Sequence, residues 1–314
     1  MKILVTGGAG FIGSHIVDAL LKRGHTVRVL DNFSSGKKEN LAASINKIDL
    51  VRGDIRNKAV CQKAARSMDY IIHQAALRSV PKSLANPEEY NQVNIIGTLN
   101  LLRAAVANKI KVFVFASSSS VYGDVAKFPE KEDFLPQPIS PYALTKLTGE
   151  HYCKIFSLNY KIATVCLRYF NVFGPRQSLD DEYAVVIPKF IYSILNNQLI
   201  PVYGNGRQSR DFTYVANVVN ANLAALKLSK SRGEVFNVAA GRDYSVLELA
   251  AKLNKILGRN ISVKFLAKRP GDVFKTLADL GRSKKILKFN PEVGFRQGLE
   301  MTCEYFKEIW QRKQ

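Results

Sequence analysis

The first 31 residues constrain this chain more than any other stretch. Residues 2–6 are a short apolar run that suits a buried parallel strand. Gly7, Gly10 and Gly13 follow at three-residue spacing, and Gly8, Gly10 and Gly13 also satisfy G-x-G-x-x-G. Residues 11–21 then carry apolar side chains at helical periodicity. A tight turn, a close backbone approach and a helix packed hard on a strand each need a missing side chain. The N–H groups that open such a helix point at an anion lying over the turn. A second apolar run, residues 26–30, ends at Asp31, near the acidic position expected about 20 residues beyond such a turn. A carboxylate there accepts hydrogen bonds from an adenosine ribose and repels a 2′-phosphate. Strand, turn, helix and acid in this order predict a bound dinucleotide, NAD rather than NADP.

The 314 residues, 46% of them hydrophobic and 23% charged, suffice to bury a sizeable core in one large or two modest domains. No stretch approaches the roughly 18 uninterrupted apolar residues of a membrane span. Residues 1–6 run into a strand without a signal-like pattern, so a cytoplasmic protein with no membrane insertion is expected. Cysteines 61, 153, 166 and 303 show no C-x-x-C spacing, and histidines 15, 25, 73 and 151 show no ligand spacing. Neither a disulfide frame nor a metal site is expected. The net charge of +20 is high enough to suggest a nucleic-acid partner. Its basic residues are spread along the chain, however, and the densest run, 282–288, is short and helix-like. A solvated face that steers anionic substrates is the expectation, and nucleic acid is not.

Further strand-like runs fall at 48–52, 69–73, 111–117 and 162–168, with helical patterns at 11–23, 58–67, 91–108 and 142–158. This alternation predicts an α/β fold, a Rossmann-type doubly wound parallel sheet. From about 169 the alternation weakens, and short strands are expected near 201–203 and 262–266. Residues 1–168 are therefore read as the dinucleotide-binding domain, its sheet completed by a strand near 235–239. Residues 169–314 are read mainly as a smaller C-terminal α/β substrate lobe. Asp54, at the end of the third strand, is placed to reach the adenine edge.

The run 111–123 is a buried strand that breaks into four serines, 117–120. Ligands in such sheets sit at the carboxyl ends of strands, so these hydroxyls are expected to face the cofactor cleft. Downstream, Tyr142 and Lys146 are four apart on one helix face. An ammonium beside a phenol favours the phenolate. With a serine hydroxyl opposite, the three form a general acid/base set for oxidising and reducing an alcohol.

With these motifs the chain resembles the extended short-chain dehydrogenase/reductases, in the nucleotide-sugar epimerase/dehydratase group. The resemblance runs through GGAGFIGS (7–14), DNFSSG (31–36), GDI (53–55), HQAALRSVP (73–81), VNIIGT (93–98), SSSSVYG (117–123), SPYALTK (140–146), RYFNVFGPRQ (168–177), VIPKF (186–190), GRQSRDFTYV (206–215) and RPGDV (269–273). It implies that NAD is contacted by Gly7, Gly10, Phe11, Ile12, Gly13, Asp31, Asn32, Ser35, Gly36, Asp54, Ile55, Gln74, Ala75, Ala76, Asn94, Ser117, Tyr142, Lys146 and Tyr169. It makes Ser118 the catalytic serine, with Ser119 beside it able to substitute, Tyr142 the base, and Lys146 the holder of the nicotinamide ribose. On the substrate side it implies Ser79, Ser118, Ser119, Tyr142, Asn171, Tyr203, Arg210, Arg269, Asp272 and Thr276. Asn171 would touch the diphosphate or sugar, the two arginines would clamp the diphosphate, and Asp272 would hold the uridine ribose.

The same resemblance narrows the reaction. The 4,6-dehydratases carry an Asp-Glu acid pair where this chain has Ser119-Ser120, and decarboxylases usually carry Thr-Ser-Glu. The serine-rich version resembles the UDP-hexose 4-epimerases, which invert C4 through a transient 4-keto sugar. Thr276 is small where glucose/galactose enzymes carry a bulky aromatic, which leans toward UDP-GlcNAc/UDP-GalNAc, with UDP-Glc/UDP-Gal also open. Arg78 keeps a UDP-glucuronate 4-epimerase open, because a uronate enzyme should offer a cation to the C6 carboxylate. Another nucleotide-sugar enzyme of the group is a further alternative, and a non-catalytic NAD-binding scaffold is the remote one. A homodimer is implied through the helices near 91–108 and 142–158, with Leu99, Leu102, Val106, Ile155 and Leu158 as candidate apolar contacts.

Overall fold

Seven parallel strands form the central sheet of the computed structural model, which describes residues 1–178, 186–268 and 273–312. In chain order the strands are β1 (Lys2–Thr6), β2 (Thr26–Asp31), β3 (Ile48–Arg52), β4 (Tyr70–His73), β5 (Val112–Ser118), β6 (Ala163–Tyr169), β7 (Val172–Phe173), β8 (Ile200–Tyr203), β9 (Ser209–Asp211), β10 (Thr213–Tyr214), β11 (Arg232–Val238), β12 (Asp243–Ser245) and β13 (Val263–Leu266). The helices are α1 (Phe11–Lys22), α2 (Lys58–Ala65), α3 (Val80–Ala85), α4 (Pro87–Tyr90), α5 (Gly97–Ala107), α6 (Pro141–Tyr160), α7 (Val186–Leu195), α8 (Val215–Ala225), α9 (Val246–Leu257) and α10 (Phe295–Gln311). The sheet order is β11-β6-β5-β4-β1-β2-β3. The chain winds outward from β1 to β3, then crosses to the other side of β1 and continues from β4. The reversal opens a crevice at the carboxyl ends of β1 and β4, where such sheets bind ligands.

Alternate residues of each central strand point to opposite faces, and both faces are covered. One face buries Ile3, Val5, Val29, Val114, Val165 and Phe236. The other buries Leu4, Leu30, Ile71, Phe113, Phe115 and Cys166 under α2, α5 and α6. A third cluster, including Phe190, Ile194, Phe212, Leu249, Phe295 and Leu299, holds α7, α9 and α10 together. β11 joins the sheet beside β6 although about 60 residues separate them, as the apolar run near 235–239 suggested. β8 and β13 pair with each other in parallel, outside the main sheet.

The pattern at 91–108 reads as one helix, but its first six residues, Asn91–Ile96, form a π-helical turn before α5 begins. Leu102, expected to offer an apolar contact to a second copy, is fully buried in the chain's own core. Leu99 and Val106 pack against the same core. On α6, Ile155 and Leu158 are exposed. All four cysteines are free and buried, so their thiols serve as core packing. Among the described residues no group of His, Cys, Asp and Glu is placed to hold a metal ion. Among the same residues no helix is long and apolar enough to cross a membrane.

Candidate active site

The turn after β1 is held by backbone meeting backbone. Gly7 has φ +67°, and a Cβ there would lie 2.7 Å from the Ala75 nitrogen. A Cβ on Gly13 would lie 2.1 Å from the Gly7 carbonyl oxygen, so α1 packs against the turn only as glycine allows. Gly10 caps α1 with no side-chain hydrogen bond, which leaves the helix N-terminus open toward the crevice. Asp31 closes the other side. Its Oδ2 accepts from the Ala9 N–H at 2.9 Å and its Oδ1 from the Phe33 N–H at 2.8 Å. Burial pushes its carboxyl above the usual range, against those two hydrogen bonds. Gly36 lies beside it, with space for no Cβ: one would sit 2.9 Å from Ala9 Cβ. Ser35 and Asn32 are exposed at this rim, and Phe11 and Ile12 are half-buried at the start of α1.

Asp54 lies at the adjoining strand end, paired with Arg56 through bonds of 2.8 and 3.0 Å and accepting from Asn32 Nδ2 at 3.0 Å. The Arg56 contacts hold its carboxyl down at about 2. Ile55 next to it is buried. Together the glycine cradle, the open helix terminus and the carboxylate of Asp31 fit a dinucleotide, since glycine lets the turn and the start of α1 close against their own backbone and leaves the helix N–H groups facing the crevice.

The loop after β4 differs from the expectation in one respect. Asn94, expected to contact the cofactor, spends its side chain inside the protein. It accepts from Leu77 N–H at 2.9 Å and donates to Leu77 C=O and Thr145 Oγ1, both at 3.0 Å. It therefore pins the 75–81 loop to the first turn of α6. Ala75 and Ala76 lie half-buried in that loop, which turns past Gly7. Gln74 donates to the Tyr169 hydroxyl at 3.0 Å and to Asn222 Oδ1 at 3.2 Å, and Asn222 in turn donates to Tyr169 at 2.8 Å. Asn222 is a fully buried member of this group on α8, and nothing in its local sequence marks it.

The acid/base residues converge where β5 ends. The Ser118 side chain lies close enough to the Tyr142 hydroxyl to pull its pKa down. Ser118 Oγ also accepts from the Ser120 hydroxyl at 2.9 Å. Ser119 begins the short turn Ser119–Tyr122, and it is Ser118, one residue earlier, that meets the tyrosine. Lys146 Nζ donates to Ala116 C=O at 2.8 Å and stands 6.0 Å from the centre of the Tyr142 ring. The expectation of a simply acidified phenol is not met. Burial raises the Tyr142 pKa, while the Ser118 hydroxyl and the charge of Arg78 pull it the other way. Burial also lowers Lys146 to about 8. Ser117, expected to face the cofactor cleft, turns its hydroxyl into the core and donates to Glu150 Oε1 at 2.5 Å. Successive strand residues point to opposite faces, so Ser117 and Ser118 cannot both face the cleft.

Farther along the crevice, residues from distant parts of the chain meet. Asn171 Nδ2 donates to Thr276 Oγ1 at 2.8 Å, and the same oxygen accepts from Asp211 N–H at 3.2 Å. Thr276 is buried, and its hydroxyl ties its own segment to the lobe. Arg210 is also buried, and its Nη1 donates to Ser209 C=O at 2.8 Å and to Phe274 C=O at 3.1 Å. Asp211 accepts from Ala240, Gly241 and Ala278 N–H groups, and burial still pushes its carboxyl up to about 7. Glu130 accepts from Leu277 N–H at 3.0 Å and is likewise raised, by burial, to about 7. Tyr203 lies under Lys189, whose Nζ is 3.4 Å from its hydroxyl. Ser79 caps α3 by accepting from Lys82 N–H, and its own N–H donates to the Tyr90 hydroxyl. Arg269 and Asp272 lie outside the described residues.

Fold and cleft define a dinucleotide-dependent enzyme of the short-chain type, and comparison with known proteins places it more closely. A profile of the NAD dependent epimerase/dehydratase family matches residues 3–239, and the chain belongs to that family. NAD is its cofactor. It is similar to a UDP-N-acetylglucosamine 4-epimerase from Methanobrevibacter ruminantium solved with UDP-N-acetylmuramic acid, at 43% identity over 98% of each chain and a TM-score of 0.94. A UDP-glucose 4-epimerase from Thermotoga maritima with UDP-glucose matches at 38% identity over 99% of this chain and 100% of that one, TM-score 0.94. A UDP-glucuronic acid 4-epimerase from Bacillus cereus, with UDP-glucuronic acid and NAD, matches at 36% identity over 98% and 100%, TM-score 0.91.

Proposed function

We propose that the protein is an NAD-dependent 4-epimerase of a UDP-hexose, an isomerase whose preferred substrates are UDP-GlcNAc and UDP-GalNAc. The observation that carries the reading is the meeting of Tyr142 with Ser118 above Lys146, beside a glycine cradle made for a dinucleotide. Bound NAD supplies the hydride acceptor and donor at C4. Tyr142 takes the C4 hydroxyl proton and later returns it, with the neighbouring Ser118 hydroxyl placed to share it. Arg78 and Ser118 both favour the phenolate that the first step needs. Lys146, fixed on Ala116 C=O, brings a positive charge to the same pocket. Ser119-Ser120 offers no acid pair for eliminating water, so the keto sugar has no route but return. The preference for acetamido sugars is supported by the compact Thr276 and by the 43% identity to the Methanobrevibacter ruminantium UDP-N-acetylglucosamine 4-epimerase.

A second reading, a UDP-glucuronate epimerase, draws on Arg78, whose charge reaches Tyr142. Separate incubation with UDP-Glc, UDP-GlcNAc and UDP-GlcA, products resolved by NMR, decides between them. Conversion of UDP-GlcNAc to UDP-GalNAc without added NAD is expected. Turnover of UDP-GlcA alone transfers the assignment to the second reading, and no turnover of any overturns both. We also read the exposed Ile155 and Leu158 on α6 as part of a homodimer contact, without Leu102. Light scattering at micromolar concentration should give twice the chain mass.

A further inference from the structure

We propose that Glu150 is a third working position on the helix face of Tyr142 and Lys146. It is a positioning residue that holds Ser118 in place through Ser117, with Arg168 as its counter-charge. Tyr142, Lys146 and Glu150 are spaced by four along α6 and lie one above another. They meet three consecutive residues of β5. Tyr142 meets Ser118, Lys146 meets the Ala116 carbonyl, and Glu150 meets the Ser117 hydroxyl.

Glu150 and Arg168 have side chains only 5% and 3% exposed. They form a two-pronged pair, Nε to Oε1 at 2.9 Å and Nη2 to Oε2 at 2.8 Å. A buried pair of this kind contributes little net stability over well-packed apolar side chains, because both charges lose their water. Its placement is what distinguishes it. The turn Ser119–Tyr122 is capped by Ser118, and the pair holds the strand tip just before it and the last residue of it. Glu150 accepts from Ser117 at the start, and the Arg168 guanidinium lies 4.6 Å from the centre of the Tyr122 ring at the finish. The Tyr122 hydroxyl then donates to Asn237 on β11 at 2.7 Å. Fixing the Ser117 rotamer fixes the strand tip, and with it the direction in which Ser118 points.

The kinetic test rests on the 4-epimerase reading; a second readout does not. Ser117→Ala removes the link and leaves the ion pair intact. Glu150→Asp keeps the charge and shortens the reach. Each should lower kcat per NAD-loaded site by about ten-fold or more, as small misplacements of reacting groups do, with KM for the UDP-sugar unchanged. The double variant should lose no more than either single one, and Ser117→Thr should restore kcat. Without any sugar, amide hydrogen exchange at Ser119–Tyr122 should speed up in Ser117→Ala and Glu150→Asp alone of the site's turns. Unchanged kcat in Ser117→Ala, additive losses in the double variant, or unchanged exchange overturns the proposal. So does a lowered yield of folded protein whose NAD-loaded fraction turns over normally. If the parent enzyme turns over no UDP-sugar, the 4-epimerase reading falls, and the exchange experiment alone decides this one.

Discussion

Around Gly7 the protein is held by backbone against backbone; around Asp211 it is held by one buried carboxylate. In the dinucleotide half, the close contacts come from residues within one strand-turn-helix unit and the loop beside it: Gly7, Gly13, Ala75. In the half around Asp211, a single hydroxyl on Thr276 bonds a side chain 105 residues away and a backbone N–H 65 residues away. Asp211 gathers three N–H groups from two further segments. The turn at Gly7 and Gly13 tolerates no added atom. The half around Asp211 tolerates shape changes better than the loss of a polar group, because its segments are joined by single hydrogen bonds. A steric scaffold suits a cofactor that is the same in every turnover.

The comparison breaks most visibly at Gly13. Gly13→Ala places a methyl 2.1 Å from the Gly7 oxygen, so the turn must open. Purified variant protein should carry no NAD, as judged by the nucleotide released on denaturation. Retention equal to the parent's would mean that this half is not sterically set. Next in size is Tyr142→Phe, which keeps the ring and removes the proton carrier. It should reduce kcat by about 10²-fold or more, with UDP-sugar binding by calorimetry nearly unchanged.

A pH effect comes next and belongs to the dinucleotide half. His73 is buried between Thr6 and Thr98, and burial lowers its pKa from 6.5 to about 3. The unfolded chain takes up this proton near pH 6.5 and the folded chain only near pH 3. Stability fully present above pH 6.5 should therefore fall as the pH drops through 3, by up to about 5 kcal/mol in all. Urea unfolding across this range should lose that slope in His73→Gln, and an equal slope in the variant would place it elsewhere.

The smallest effect tests the half around Asp211. Thr276→Val keeps the volume and strips the acceptor from Asn171 Nδ2 and Asp211 N–H. It should cost about 1–3 kcal/mol of stability and raise KM for the UDP-sugar, while NAD retention stays as in the parent. Thr276→Ser should largely preserve both. If Thr276→Val releases NAD instead, the two halves are not separable.

The sequence by itself determined the sheet and the cofactor end. Gly7, Gly10, Gly13 and Asp31 are legible because a turn of this kind is local: strand, glycines, helix and acid fall within 31 residues, and each residue type answers a steric or electrostatic need. Tyr142 and Lys146 are legible for the same reason, since helix periodicity alone puts them on one face. Glu150 continues that spacing and was open to the same reading, but a buried glutamate cannot be told from a solvated one until its partner Arg168, 18 residues on, is seen beside it. Tertiary structure alone decided the rest. It turned Ser117 inward because the neighbouring serine took the cleft, and it spent Asn94 on Leu77 because a buried amide must find partners. It brought Asn222 to Gln74 across 148 residues, and Asn171 to Thr276 across 105. No local pattern encodes such pairs, because what fixes them is the folding of whole layers around three cores and the high cost of leaving any buried polar atom without a partner.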